Sequence, residues 1–209
     1  MTGRNQFTAG LAAVLMVIDH IGAMFFPEQL GFRVIGRLSF PLFAYGIAQG
    51  VTHTSCFQKY LIRILLAAVI SQPIYIAAFH QTNLNPLFTL AYGSVVVWLW
   101  RRGEKERILA FLLMLLSYWL KSSYGWYGVL TIFLFAFYET ARSTCFYGQL
   151  LLQAVYGYAT GVWLQSLSIG AFSLAGKKWR GAVYLPKYFF YVFYPLHLMV
   201  LVGIREMLL

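Results

Sequence analysis

The sequence predicts an all-α fold: a polytopic integral membrane helical bundle of about nine transmembrane helices, with eight to ten as the range. Two observations predict it. Apolar residues make up 60% of the 209 positions and charged residues only 11%, which leaves too little polar surface for a soluble domain of this length. The apolar residues also form runs of about 20, the length of a membrane-crossing helix. One bundle uses the whole chain, so we expect a single transmembrane domain over residues 1–209.

The apolar runs give the elements in order. Candidate spans cover about 7–26, 34–52, 58–79, 85–100, 107–120, 125–139 and 188–205. Residues 143–176 leave room for two short helices that turn at Gly157–Gly161 or just after it. The first run carries a titratable pair and no small-residue cleavage site follows it, so we interpret it as a retained span rather than a signal peptide.

The basic residues predict the orientation of the bundle. Under a nine-helix count the following fall on one side: Arg4, Lys59, Arg63, the 101–107 cluster, Arg142 and the 177–187 cluster. The positive-inside rule makes that side cytoplasmic and places the amino terminus there. It also accounts for the net charge of +10 without nucleic acid as a partner. The expected location is the bacterial inner membrane, crossed several times.

Asp19 and His20 lie inside the first predicted span, where ionisable side chains are costly and usually functional. Adjacent helix residues point about 100° apart, so the two side chains do not face one another directly. In one interpretation His20 is a general base or an acyl-accepting group that Asp19 tunes. In the other, Asp19 forms a structural pair with an arginine and His20 is a hydrogen-bonded structural histidine.

Arg33 and Arg37 are spaced i, i+4 and therefore share a helix face. They lie on the outer side, against the charge bias, so an anionic group should compensate them. Asp19 and an anionic substrate are the candidates, and interfacial snorkelling is the simpler alternative. Pro41 follows in the same predicted span and should kink it, which would free a backbone carbonyl.

His197 is a second histidine in an apolar setting, within KYFFYVFYPLHLMVL. Pro195 should kink this segment, and Tyr194 can donate a hydrogen bond nearby. A structural role and a place in a site shared with His20 are both open. Cys56 and Cys145 match no disulfide or metal-ligand spacing, so we expect no metal.

Polar residues near the predicted outer loop between the third and fourth spans have two interpretations. They are Gln72, Asn83, Asn85 and Thr89. They could line an acceptor pocket, or they could be helix caps and turns.

Four sequence blocks together resemble the TraX family. They are VLMVIDHIG at 14–22, IGRLSFPLFAYGIAQG at 35–50, YGWYGVL at 124–130 and FYVFYPLHL at 190–198. The family is linked to amino-terminal acetylation of F-type pilin and is grouped with transmembrane acyltransferases, among them the acyltransferase-3 proteins and heparan glucosaminide acetyltransferase. The resemblance implies a helical bundle that loads acetyl-CoA from the cytoplasm, with an acceptor such as a pilin, glycan or lipid headgroup.

The resemblance also implies site residues. His20 with Asp19 would be catalytic, and Arg37 and His197 lie in two of the matching blocks. Together with Arg33 and Tyr194, which the residue pattern adds, they would bind substrate or the oxyanion. Five basic residues suit the phosphates of the CoA nucleotide as well as they suit topology signals or lipid headgroups. They are Lys59, Arg63, Lys177, Lys178 and Arg180.

Two other functions fit the same residues. A proton- or ion-coupled transporter could use Asp19, His20 and Arg37 as a relay, although the inverted repeat of many transporters is absent from the sequence. A structural membrane subunit of an envelope assembly would tolerate substitution of all three residues.

Overall fold

A computed structural model describes residues 6–176, 185–186 and 188–208 of the chain. These residues are helical apart from turns and one isolated bridge between Leu84 and Ser122, which confirms the predicted all-α class. The α-helices in the described residues are α1 (Gln6–Phe25), α2 (Leu30–Gly36), α3 (Ser39–His53), α4 (Phe57–Phe79), α5 (Pro86–Trp100), α6 (Glu104–Leu116), α7 (Gly125–Phe135), α8 (Arg142–Thr160), α9 (Gly170–Leu174) and α10 (Phe189–Leu208). Short 3-10 helices cover Ser117–Trp119 and Trp163–Ile169.

Three of these helices, α1, α4 and α10, are long and apolar enough to cross a bilayer by length and composition. Two more, α5 and α7, are apolar but shorter. The protein is therefore of the membrane type. The number of crossings and the side of the amino terminus stay predictions.

The helix ends gather at two levels of the bundle. One end of the bundle, which we call the basic end, contains the start of α4 and the end of α5. There Phe57 stacks on Trp98 with ring centroids 4.6 Å apart, and Arg102 lies over the Trp98 ring. The other end, which we call the opposite end, contains the end of α4 and the start of α7. There Leu84 and Ser122 form an isolated backbone bridge. The chain therefore runs back and forth between the two ends.

Arg205 joins α10 to α4 at the opposite end. Its guanidinium donates to the carbonyl oxygens of Ala77 and Ala78 at 3.0 and 3.1 Å. A cation is favourable at a helix carboxyl terminus, where the last carbonyls have no partner within the helix. This contact fixes the end of α10 beside the end of α4.

The second predicted span is two helices rather than one. α2 ends at Gly36, Arg37 and Leu38 form a turn, and α3 starts at Ser39. Pro41 lies in the first turn of α3, where its missing N–H replaces a group that has no intrahelical partner. The predicted kink at Pro41 is therefore wrong, and the break lies before the proline.

Two contacts explain why α2 packs so closely on α1. A Cβ at Gly22 would collide with Phe32, and a Cβ at Gly36 would collide with the Asp19 side chain. The absence of side chains at these two glycines lets the backbones approach, and it places the Asp19 carboxylate against the α2 backbone.

The turn predicted within 143–176 falls at Gly161, which ends α8 with φ 71°. The return segment is the Trp163–Ile169 3-10 helix followed by α9, shorter than a full helix. Gly157 allows the sharp reversal, because a Cβ there would lie 2.7 Å from Trp163.

The polar residues between α4 and α5 are caps and turn contacts. The Asn85 side chain caps the first turn of α5, and Gln72 accepts a hydrogen bond from the Asn85 N–H at 2.9 Å. Gln72 also donates to the Asn83 carbonyl at 3.0 Å, and Thr89 bonds the 122–123 turn. These contacts agree with the interpretation of the four residues as helix caps and turns rather than as the lining of an acceptor pocket.

Candidate functional site

The two intramembrane histidines meet inside the bundle although they are 177 residues apart in the chain. Nδ1 of His20 on α1 lies 2.8 Å from Nε2 of His197 on α10, and the rings stack with centroids 5.0 Å apart. Nδ1 of His197 lies 2.8 Å from the backbone carbonyl oxygen of Phe193. Both histidines are buried, with 9% and 8% of their surface exposed.

These contacts define the protonation of the pair when both rings are neutral. The Phe193 carbonyl can only accept, so Nδ1 of His197 carries a proton and Nε2 of His197 is the acceptor. Nδ1 of His20 must then donate to it. The second ring nitrogen of His20, Nε2, is left unprotonated and has no hydrogen-bond partner among the described residues. A histidine arranged in this way can accept a proton.

Aromatic rings enclose the pair. Phe79, the last residue of α4, packs edge-on against His20 at 5.0 Å, and Phe193 stacks on His197 at 5.1 Å. His20 lies roughly 21 Å along α1 from its first residue and only roughly 8 Å from its last, at 1.5 Å per residue. The pair is therefore closer to the opposite end than to the basic end.

An apolar groove of about 380 Å³ between α1 and α10 reaches the same place. Its lining includes Val14, Val17 and Ile18 on one side and Phe189 and Phe193 on the other. Phe193 lines this groove and also stacks on His197, so the groove reaches the histidine pair.

Asp19 does not contact the His20 ring. Its Oδ2 forms an ion pair with Arg33 at 2.9 Å, and Arg33 also donates to the Asp19 backbone carbonyl at 3.1 Å. Arg33 thus has the compensating anion that the sequence required. Of the alternatives that the sequence left open, the structure has Asp19 paired with an arginine and His20 paired with His197.

Three polar atoms near this ion pair and the histidines are buried without a hydrogen-bond partner. They are Oδ1 of Asp19, Nε of Arg37 and the Tyr194 hydroxyl. Buried polar groups are nearly always bonded, so a cluster of unsatisfied ones indicates a place for water or a ligand. Tyr194 packs edge-on against His197 at 5.6 Å, so the residue that carries the unpartnered hydroxyl contacts the histidine pair.

Sequence reasoning did not single out Tyr124, which lies in the YGWYGVL block at 124–130. Its ring stacks on Phe40, three residues after Arg37, and its neighbour Ser123 is hydrogen-bonded to Tyr75. The signal that could have found it is the density of aromatic and glycine residues in YGWYG.

Two of the predicted CoA-binding residues, Lys59 and Arg63, lie away from the histidine pair. Lys59 and Arg63 are on α4, roughly 30 and 24 Å along the helix from Phe79, at or near the basic end. Lys177, Lys178 and Arg180 lie outside the described residues. No group of three or more metal-ligating side chains occurs in the described part of the chain.

The fold and the site together define an all-helical membrane-type protein with a polar centre buried among apolar helices. The chain belongs to the TraX family, since the family model described as TraX protein matches residues 8–205. A Dichelobacter nodosus protein named probable fimbrial assembly protein FimC, serogroup H1, is 28% identical over 95% of this chain and 94% of its own length. Protein TraX of Escherichia coli is 30% identical over 95% of this chain and 86% of its own length. No solved structure matches the chain significantly.

Proposed function

We propose that the protein is an integral membrane acyltransferase of the bacterial inner membrane. It would move an acetyl or short acyl group from acyl-CoA to an amine or hydroxyl of an envelope acceptor, with residues 1–209 acting as one domain. The observation that carries the proposal is the His20–His197 hydrogen bond, backed by the Phe193 carbonyl. It leaves His20 Nε2 as an oriented base inside an apolar bundle.

The chemistry assigned to His20 is general base catalysis. The acceptor nitrogen or oxygen attacks the thioester carbonyl carbon, and its proton passes to His20 Nε2 as the new bond forms. When the tetrahedral intermediate collapses, the carbon–sulfur bond breaks and the proton passes to the departing CoA sulfur. His197 is a positioning residue that holds one tautomer of His20 and shares the positive charge, the role that an acid has in a catalytic triad.

The oxyanion of the tetrahedral intermediate needs donors that are in place before it forms. Arg37 supplies a guanidinium whose Nε is buried and unpartnered, and Tyr194 supplies a buried hydroxyl. Because Arg33 already neutralises Asp19, the positive charge of Arg37 is left for the substrate. Asp19 acts by fixing α2, and with it Arg37, against α1.

The two ends of the bundle suit the two substrates. The basic end, with Lys59 and Arg63, would bind CoA phosphates, while the long flexible arm of CoA carries the thioester inward. Lys177, Lys178 and Arg180, which lie outside the described residues, would have the same role on the charge pattern of the sequence. The apolar groove beside Phe193 would hold a hydrophobic part of the donor or of a lipid acceptor. One relative is named a fimbrial assembly protein, which favours a pilin acceptor over a glycan or lipid headgroup.

The test is acetyl-CoA binding and slow thioester hydrolysis by protein purified in detergent. We expect His20→Ala to lower the hydrolysis rate by about 10²–10⁴-fold, the usual contribution of a general base, with binding unchanged. The matched control is His53→Ala, since His53 is an exposed histidine at the end of α3. Folded protein that does not bind acetyl-CoA, or a variant that hydrolyses it at the wild-type rate, would refute the proposal. Proton-linked flux in vesicles would then favour the transporter.

A further inference from the structure

We infer that Tyr124 is a further catalytic residue, and that its phenol donates a hydrogen bond to the oxyanion together with Arg37. The inference rests on the proposed acyl transfer and extends it to a residue outside the histidine and arginine set. Four features of the fold support the inference.

The first feature is the backbone of Tyr124. Its φ is 69°, in the left-handed region, and the next residue, Gly125, also has a positive φ of 40°. Among the described residues, only His80 is another non-glycine with positive φ. A bulky side chain in this conformation is strained where glycine would be relaxed. Such strain persists where the surroundings require the side chain, and it concentrates at functional sites.

The second feature is the seat of the ring. Phe40 of α3 stacks on Tyr124 with centroids 3.8 Å apart and an angle of 16° between the planes. Gly128 leaves the space that this packing of the two rings needs, because a Cβ there would lie 2.8 Å from Phe40 and 2.9 Å from the Tyr124 Cβ. The ring therefore has one position, set by two elements.

The third feature is the link between the Tyr124 turn and the base. Ser123, its neighbour, lies 2.5 Å from the Tyr75 hydroxyl through its own Oγ. Tyr75 packs on Phe79 at 5.1 Å, and Phe79 packs on His20 at 5.0 Å. Tyr75 also belongs to the cluster that contains Tyr194. A continuous chain of contacts thus connects the Tyr124 turn to His20.

The fourth feature is the polarity around the phenol. Arg37 lies three residues before Phe40, on which the Tyr124 ring stacks, and both Arg37 and Asp19 carry buried atoms with no hydrogen-bond partner. A tyrosine hydroxyl is one of the donors that oxyanion sites use, and a guanidinium adds positive charge. During attack the carbonyl carbon–oxygen double bond becomes a single bond, its electron pair moves to oxygen, and Tyr124 and Arg37 donate to that oxygen.

The experiment compares Tyr124→Phe with the wild-type protein in acetyl-CoA hydrolysis. Phenylalanine keeps the ring, its stack on Phe40 and its packing, and removes only the hydroxyl. We expect kcat to fall by about 10²-fold, as for loss of one oxyanion donor, with the KM for acetyl-CoA and the melting temperature unchanged. The control is Tyr92→Phe, which removes a hydroxyl that donates to the Leu113 carbonyl at 2.7 Å on the far side of α5 and should leave kcat unchanged.

Each outcome decides the inference. An active wild-type protein with a Tyr124→Phe variant of normal kcat, of raised KM alone, or of lost folding would overturn the role of Tyr124 and leave the histidine chemistry intact. A wild-type protein that binds acetyl-CoA without hydrolysing it would overturn both proposals together. In that case the His20→Ala and Tyr124→Phe variants would be indistinguishable from wild type.

Discussion

Asp19 shows how far a single residue can be interpreted from sequence. Its rarity inside an apolar run identified it, together with His20 and His197, as a member of a polar centre. Its partner could not be deduced, because Arg33 and the histidine of α10 compete for the same neighbourhood and the choice depends on how α1, α2 and α10 pack. In the structure Asp19 forms an ion pair with Arg33. His20 is hydrogen-bonded to His197, whose other ring nitrogen donates to the Phe193 carbonyl.

The ion pair gives a prediction about stability. Arg33→Met removes the cation and leaves a buried carboxylate unpaired, which costs about 3 kcal/mol or more when both groups are buried. Because the Arg33 side chain is 25% exposed, we expect a smaller loss, about 2 kcal/mol, in the free energy of unfolding measured by denaturant titration in detergent.

The double variant Asp19→Asn with Arg33→Met is the control for that measurement. Since it removes both charges, it should be more stable than Arg33→Met alone. Equal losses in the single and double variants would show that the pair is not coupled and that Arg33 acts through packing.

Individual helices were predicted best where length and hydropathy agree, as in α4, α5 and α10. The α2–α3 break escaped prediction because residues 34–52 are mostly apolar, with few polar residues besides Arg37 and Ser39, and the break is made by tertiary contact. Gly36 must lie against Asp19, and a single straight helix could not hold that contact and also place Ser39, whose hydroxyl donates to the Ala12 carbonyl at 2.9 Å. The site depends on this break, because Arg37 lies in it.

Gly36→Ala tests the role of the break. A Cβ at this position collides with the Asp19 carboxylate, so α2 must move away from α1 and the unfolding free energy should fall by about 1–3 kcal/mol, as in overpacking. Gly31→Ala is the matched control in the same helix, because no atom lies within 4 Å of a Cβ there. Helix propensity makes that change neutral or stabilising by up to about 1 kcal/mol. Similar losses in both variants would rule out close packing on Asp19 as the cause.

At the scale of the whole molecule, the two ends of the bundle differ in their exposed basic residues. Residues at the basic end include Lys59, Arg101 and Arg102, all exposed, whereas the opposite end carries the turn at 26–29 and the 80–85 loop. The candidate base lies nearer the opposite end, because His20 packs against Phe79, the last residue of α4. Sequence hydropathy predicted the alternation of ends but not the depth of the site, which depends on where α10 meets α1.

Thiol labelling in spheroplasts tests the orientation of the bundle. In a Cys56→Ser, Cys145→Ala background, single cysteines replace exposed residues at each end: Glu28 or Gln81 at the opposite end, and Lys59 or Lys105 at the basic end. The positive-inside rule places the basic end in the cytoplasm. A membrane-impermeant maleimide should therefore label Glu28→Cys and Gln81→Cys in intact spheroplasts, and Lys59→Cys and Lys105→Cys only after permeabilisation. The reverse pattern would put the histidine pair near the cytoplasm, and the acceptor would then have to be a cytoplasmic molecule rather than an envelope component.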